Sequence, residues 1–179
     1  MVSAKPTIGD LMMQPETNGL FDLELVSLRP ASPDDNELLF KIFVGARLAE
    51  FSLLDLGQAQ KHALIKMQFD AQSYQYSESH PGAESRIISW DQLPVGRMLV
   101  DRGEREITLV DIALLPEYRN YGIGTLLIQR LLVEAAEANK QVRLHVLKSN
   151  PAQHLYERLG FFRAGGDAMY FEMLCKPVL

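Results

Sequence analysis

The sequence predicts a mixed α/β fold, combining α/β and α+β features, in which about four helices flank a central mixed, twisted sheet of about six to seven strands. Two neighbouring segments carry this prediction. The segment from Ile107 to Leu115 is apolar at nearly every position, which is typical of a central strand covered on both faces. The next periodic segment, Ile123 to Ala138, repeats apolar residues at helical spacing, and Asn139 ends it.

Patterns in the first half of the chain predict one strand, two helices and a hairpin. Alternating residues after Asp22 form the strand, Pro30 ends it, and Ser32-Pro33-Asp34-Asp35 supplies a helix cap. Gly57 separates the two helices, and Asp91-Gln92-Leu93-Pro94 links the hairpin strands. The predicted elements are a strand over 22–29, helices over 38–46 and 63–74, a loop over 77–85, and hairpin strands over 86–90 and 95–100.

After the central helix, the chain returns to strand patterns. Val142 to Leu147 alternates as a strand, and Asn150-Pro151 opens a further helix that Gly160 ends. Phe161 to Phe171 allows two last strands around Gly165-Gly166. The predicted order is therefore β, α, α, three β, α, β, α, β, β.

Length and composition favour a single globular domain. The chain has 179 residues, of which 47% are hydrophobic and 23% charged. Residues 1–20 mix Gly, Pro, Ser and Asn without periodicity, so we expect an N-terminal extension there and the domain over 21–179.

Charge and cysteine content argue against several classes of partner. Lys and Arg number 18 against 23 Asp and Glu, which disfavours nucleic-acid binding. No apolar stretch is long enough to cross a bilayer and no leader pattern opens the chain, so we expect a cytoplasmic location and no membrane partner. The single cysteine, Cys175, excludes an internal disulfide, and the four histidines lack metal-ligand spacing, so we expect no metal.

The loop from Arg119 to Thr125 is the strongest candidate for a ligand site. It joins the buried strand to the central helix, where backbone N–H groups and the positive helix end favour an anion such as phosphate. Gly122 and Gly124 lack Cβ atoms and let the backbone approach a phosphate, although a plain tight turn explains two glycines as well. Leu127 replaces the third glycine of a dinucleotide fingerprint, and a Gly-Lys-Ser/Thr motif is absent, so both nucleotide interpretations weaken.

Two motifs together resemble the GNAT acyltransferase superfamily, over about residues 23–173. Arg119-Asn120-Tyr121-Gly122-Ile123-Gly124 resembles its Arg/Gln-x-x-Gly-x-Gly/Ala acyl-CoA loop. Asn150 and Ala152 take the Asn and small-residue positions of its Asn-x-x-Ala-x-x-x-Tyr-x-x-x-Gly-Phe helix, one residue closer together than in that pattern, and Tyr156, Gly160 and Phe161 take the later ones. Asn120 stands where glycine is common, which is tolerable because asparagine accepts left-handed backbone angles.

The resemblance implies a GNAT-like fold in which acetyl-CoA, the acyl donor, lies between two splayed parallel strands, 107–115 and 142–147. Unpaired backbone groups at the splay would bind the pantetheine amides and polarise the thioester carbonyl. The pyrophosphate would lie on the amides of residues 121–125, with Arg119 nearby. The implied cofactor-binding residues are Leu114, Leu115, Arg119, Asn120, Tyr121, Gly122, Ile123, Gly124, Thr125, Asn150, Ala152 and Tyr156.

Three residues are catalytic candidates, each with a structural alternative. By the resemblance, Tyr156 would protonate the departing CoA thiolate; the alternative is an aromatic packed in the core. His145 corresponds to a glutamate base in related ribosomal-protein acetyltransferases and could accept a proton near neutrality; the alternative is a buried structural histidine. Asp111 would bind the acceptor amine or act as base; the alternative is an ion pair with an arginine such as Arg143. Asn150 would contact pantetheine, serve as a helix cap, or both.

The sequence thus predicts an N-acetyltransferase that moves an acetyl group from acetyl-CoA directly to a primary amine, with no covalent enzyme intermediate. A small-molecule amine or amino acid is favoured over a protein N-terminus, since an acidic chain attracts a cationic amine. The alternatives are a catalytically silent acyl-CoA sensor or interaction module and, more weakly, a nucleotide-phosphate binder. A homodimer is compatible with the sequence. Residues that could line the acceptor pocket are Arg47, Glu50, Tyr74, Tyr76 and His80.

Overall fold

The structure of the protein is a computed structural model that describes residues 22–177 except 53 and 54. The predicted extension over residues 1–20 lies outside this part of the chain. The described elements are β1 (Val26–Pro30), α1 (Asn36–Ser52), α2 (Gln58–Ser79), β2 (Glu84–Trp90), β3 (Leu93–Arg102), β4 (Glu106–Leu114), α3 (Ile123–Glu137), β5 (Gln141–Leu147), α4 (Ala152–Arg158), β6 (Phe162–Gly166) and β7 (Tyr170–Cys175).

The described strands form one sheet in the order β1-β2-β3-β4-β5-β7-β6. Only the pair β4 and β5 is parallel, and α3 makes the crossover between them. The predicted mixed sheet and the predicted order of elements are therefore confirmed.

Local chemistry moves several element boundaries away from their predicted positions. Asp22 caps a short 3₁₀ turn over Leu23–Leu25, so β1 begins only at Val26. Strand β1 includes Pro30, because an edge strand tolerates a missing N–H. Helix α2 continues to Ser79, well into the predicted loop. The turn between β2 and β3 uses only Asp91 and Gln92, whose φ angles of 45° and 65° are those of a tight hairpin.

Two apolar clusters hold the layers together. The larger one joins the sheet to α3 and includes Ile107, Leu109, Leu127 and Leu144. A smaller cluster joins α1 to α2 through Phe43, Phe51, Ile65 and Phe69. Since residues 95–100 of β3 are buried without interruption, both faces of the sheet are covered at its centre.

Strands β4 and β5 separate partway along their length. They pair only from Glu106–Leu109 to Gln141–Leu144, although β4 runs on to Leu114 and β5 to Leu147. The outer edges of both strands stay paired, β4 with β3 and β5 with β7. The predicted splay between these two strands is present.

A β-bulge in β4 marks the point where the splay begins. Leu109 faces Val100 and Asp111 faces Leu99 across the β3–β4 pair, so Val110 is an extra residue. The bulge reverses the alternation: Leu109 lies in the α3 cluster, whereas Asp111 shares its face with Leu99 and Arg97, under α1 and α2. The bulge therefore turns the one carboxylate of this strand segment towards the helical pair.

Candidate active site

The gap between the splayed strands is part of a cleft of about 940 Å³. Helices α3 and α4 border one end of the cleft, and α1 and α2 border the other. Ten of the twelve predicted cofactor-binding residues line this space, as do all three catalytic candidates, with Tyr156 belonging to both groups. These lining residues are Asp111, Leu114, Arg119, Asn120, Gly122, Ile123, Gly124, Thr125, His145, Asn150, Ala152 and Tyr156. Leu115 is buried with its N–H donated to Val95, and neither it nor the Tyr121 side chain lines the cleft.

The N-terminus of α3 presents free backbone donors to the cleft. Asn120 and Gly122 both adopt left-handed angles, with φ of 65° and 87°, so the expected tolerance of asparagine at position 120 is confirmed. Gly122 is the N-cap and has no side chain, and the first intrahelical bond runs from the Leu126 N–H to the Gly122 carbonyl at 2.9 Å. The N–H groups of residues 123–125 therefore lack an acceptor in the helix, which creates an anion site.

Arg119 braces the wall of the cleft. Its Nε and Nη2 donate to the Leu114 carbonyl at 3.0 Å, and Nη2 also donates to the Gly45 carbonyl at 3.0 Å. The guanidinium thus ties the end of β4 to α1 while one side of it borders the cleft. Arg119 acts here as a brace for the cleft wall, because these carbonyls engage two of its nitrogens.

Tyr156 lies between the core and the cleft. Only 8% of the residue is exposed, and its ring packs edge-on against Phe161 with centroids 5.8 Å apart. Its hydroxyl has no hydrogen-bond partner among the residues that the structure describes. Burial, together with the negative charge of Asp111, raises the pKa of Tyr156 to about 12. The phenol is therefore both packed, as one alternative predicts, and held in the protonated form.

Asp111 forms an ion pair, but with a different arginine from the one considered above. Its Oδ2 accepts hydrogen bonds from Nε of Arg97, at 3.1 Å, and from Nη2. Arg97 is only 9% exposed, so removal of Asp111 would leave a nearly buried cation. Arg143 instead pairs with Glu106 and Glu172. The suggested Asp111–Arg143 pair was wrong, because Arg143 lies opposite Thr108 in the paired part of β4 and β5, whereas Asp111 lies beyond it, beside β3.

His145 is exposed to the cleft, so it is not the buried histidine of the alternative interpretation. The neighbours Leu144 and Val146 point into the core, and His145 points to the opposite face of β5. Asn150 acts locally as a cap, since its Oδ1 accepts the Ala152 N–H at 2.9 Å, and it also borders the cleft.

The helical side of the cleft, which is the part lined by α1 and α2, contains some of the suggested acceptor residues. Arg47 and Tyr76 line it, whereas Tyr74 is 67% exposed and His80 pairs with Asp101 at 3.2 Å. The Glu50 side chain lies outside the described residues. Sequence patterns missed Gln72, Arg97 and Tyr170, which also line the cleft, because these positions carry no motif and reach it only through tertiary packing.

Neither a metal centre nor a membrane segment emerges from the described chain. No group of three or more His, Cys, Asp or Glu residues there is arranged to hold a metal ion. Among the same residues, every helix is too short or too polar to span a bilayer.

Part of the sequence is similar to known acetyltransferases. Residues 84–162 match the family described as acetyltransferase (GNAT) domain. A [ribosomal protein bS18]-alanine N-acetyltransferase of Haemophilus influenzae is 44% identical over 57 residues, which is 31% of this chain and 39% of that protein. The match to this relative therefore spans about two-fifths of its length.

Solved structures agree in fold over most of the chain. The PaiA N-acetyltransferase of Thermoplasma acidophilum, solved in complex with coenzyme A, is 19% identical with a TM-score of 0.63, covering 84% of this chain and 98% of that one. An acetyltransferase of Thermus thermophilus is 18% identical with a TM-score of 0.62, covering 84% and 96%. At this identity the likeness concerns the fold.

Proposed function

We propose that the chain is a member of the GNAT acetyltransferase family, whose model matches residues 84–162, and that it transfers an acetyl group from acetyl-CoA to a primary amine. The observation that carries this proposal is the gap between β4 and β5, which leads directly to the free amides of α3. A peptide-like pantetheine arm fits unpaired strand edges, and a pyrophosphate fits a helix N-terminus. The residues that would hold the donor are those of 122–125, with Asn150 and Ala152 beside them.

The donor supplies a thioester, whose carbonyl carbon is attacked by the amine nitrogen while the carbon–sulfur bond breaks. The amine loses a proton and the thiolate gains one. Tyr156 supports the second of these transfers, because its O–H faces the cleft, has no described protein acceptor and stays protonated. The backbone N–H groups of the gap would stabilise negative charge on the carbonyl oxygen.

For removal of the amine proton we favour His145 over Asp111. The imidazole of His145 is exposed in the cleft and has no hydrogen bond to the described residues. The Asp111 carboxylate is engaged by Arg97, and its charge keeps that arginine compensated. Asp111 is therefore assigned a positioning role, and His145, directly or through water, the role of base.

A thermal melt with acetyl-CoA, CoA and ATP tests the donor before any acceptor is chosen. A ligand at about 100 times its dissociation constant adds roughly 2.7 kcal/mol, which raises Tm by about 5 to 10 °C for a domain of this size. We expect this rise with acetyl-CoA and CoA but not with ATP. No rise at millimolar acetyl-CoA would contradict the proposal.

An assay of CoA release across a panel of amines then separates catalysis from sensing. We expect turnover with at least one small amine or amino acid. Binding without turnover of any amine or N-terminal peptide, and no effect of Tyr156→Phe, would instead identify a silent acyl-CoA sensor.

A further inference from the structure

Arg47 brings a guanidinium to the cleft without an acidic partner among the described residues. Arg47, on α1, is partly buried and lines the helical side of the cleft, with its guanidinium carbon 4.1 Å from the centre of the Phe43 ring. None of the ion pairs among the described residues includes Arg47. A partly desolvated cation of this kind is costly unless a bound group supplies the missing negative charge.

Three further arginines line the cleft, of which Arg119 is held by backbone carbonyls and Arg158 lies on α4. Arg97 lies in the same part of the cleft, and Asp111 neutralises it through a two-point contact. Among the described residues that line the cleft, Asp111 is the one carboxylate, so Arg47 adds a positive charge that this lining does not compensate. The ring of Phe43 orients the guanidinium, so less conformational entropy is lost when a ligand binds and orders that side chain.

A neutral donor lines the same cleft as this charge. Tyr76, on α2, is partly buried, and its hydroxyl has no hydrogen-bond partner among the described residues. Burial and Asp111 raise the pKa of Tyr76 to about 12, while the positive charges of Arg97 and Arg47 act in the opposite direction. The phenol therefore remains an O–H donor within electrostatic reach of Arg47.

We infer that the acceptor carries a carboxylate as well as its amine, and that Arg47 and Tyr76 bind this carboxylate; the inference rests on the proposed function. A guanidinium fork with a neighbouring hydroxyl matches the two oxygens of a carboxylate. The acceptor class is therefore an amino acid or a related amino carboxylate, and not a simple amine or polyamine.

The test compares matched acceptors that differ only in the carboxylate. Each common amino acid is paired with its amide and with the amine that lacks the carboxyl group, and calorimetry measures binding to the CoA-loaded protein, so no turnover is needed. We expect at least one amino acid to bind about 10- to 100-fold more tightly than both of its counterparts, as is typical of a charge-assisted hydrogen-bonded pair.

Variants link this preference to the two residues. Arg47→Met should abolish the preference, Arg47→Lys should keep part of it, and Tyr76→Phe should reduce it several-fold. Arg105→Met is the matched control, since Arg105 is exposed, lies outside the cleft and carries the same charge.

Two results would overturn the inference. One is the absence of any preference across the panel, and the other is a preference that Arg47→Met leaves intact. Tighter binding of alaninamide than of alanine would point to a peptide N-terminus as acceptor. In each case a Tm rise with acetyl-CoA would leave the proposed function standing, so the two failures are distinguishable.

Discussion

The phenol of Tyr156 shows how one side chain serves packing and chemistry together. Its ring belongs to the core cluster and contacts Phe161, while its hydroxyl borders the cleft. The same burial that stabilises the ring raises the pKa of the hydroxyl. A phenol with a raised pKa stays protonated at neutral pH, so its proton is present when a thiolate departs.

Replacement of Tyr156 by Phe should therefore lower kcat far more than it changes affinity for acetyl-CoA. General acid catalysis typically contributes about 10²- to 10⁴-fold, and we expect a loss of kcat in that range. Steady-state kinetics and a melt with acetyl-CoA measure the two effects separately. Tyr118→Phe is the control, because Tyr118 is partly buried in the same core but lies outside the cleft. If Tyr156→Phe lowers kcat no more than the control variant does, Tyr156 is not the general acid.

Asp111 shows where reasoning from the sequence ends at the residue scale. Its polarity inside an apolar strand correctly marked it as unusual, because a buried carboxylate needs a partner. The partner could not be predicted, since strand alternation places Asp111 on the same face as Leu109. The extra residue Val110 reverses that alternation and brings Asp111 to Arg97.

Among the elements, the first turn of α3 most directly combines folding and binding. Gly124 is helical, and a Cβ added there would meet no described atom within 4 Å. The position nevertheless borders the cleft beside the free amides. Glycine at this point is therefore not required by the packing of the described residues, and a ligand close to the backbone explains it.

The variant Gly124→Ala separates these two explanations. Alanine favours helix over glycine by up to about 1 kcal/mol, so the Tm of the ligand-free protein should stay constant or rise. The added methyl group should obstruct the approach of a pyrophosphate and weaken acetyl-CoA binding by tenfold or more. Melts with and without acetyl-CoA measure both quantities. Unchanged affinity would mean that the pyrophosphate does not lie on this turn.

At the scale of the whole molecule, most of the architecture was predictable from the sequence. Periodicity identified the strands and helices in the correct order, because patterns of burial repeat with each element. The motif around Gly122 correctly predicted free amides at a helix N-terminus, since these are a local property. The helical side of the cleft was not predictable in the same way: Arg47, Tyr76 and Tyr170 come from three separate elements and meet only in the folded protein.

Two raised tyrosine pKa values should make the fold less stable at alkaline pH. The pKa values of Tyr76 and Tyr156 are both raised to about 12 from 10. Above pH 10 the unfolded chain releases these protons first, so the folded state loses stability as pH rises from 10 to 12. The expected loss is about 1.4 kcal/mol for each tyrosine at pH 11 relative to pH 8.

Urea unfolding at pH 8 and pH 11 measures this loss. The double variant Tyr76→Phe/Tyr156→Phe should lose about 3 kcal/mol less than the wild type between the two pH values. Equal losses in the two proteins would show that these phenols ionise in the folded state as readily as in the unfolded chain.

The separation of β4 from β5 also divides the sheet into two antiparallel halves, β1 to β4 and β5 with β7 and β6. Across the sheet, these halves are joined edge to edge by only four residue pairs, from Glu106–Gln141 to Leu109–Leu144. A ligand that bonds to both strand edges lengthens this junction. The free energy of ligand binding and the cohesion of the two halves are then linked, so two fragments of the chain cut in a loop near the junction would associate more tightly when the ligand is present.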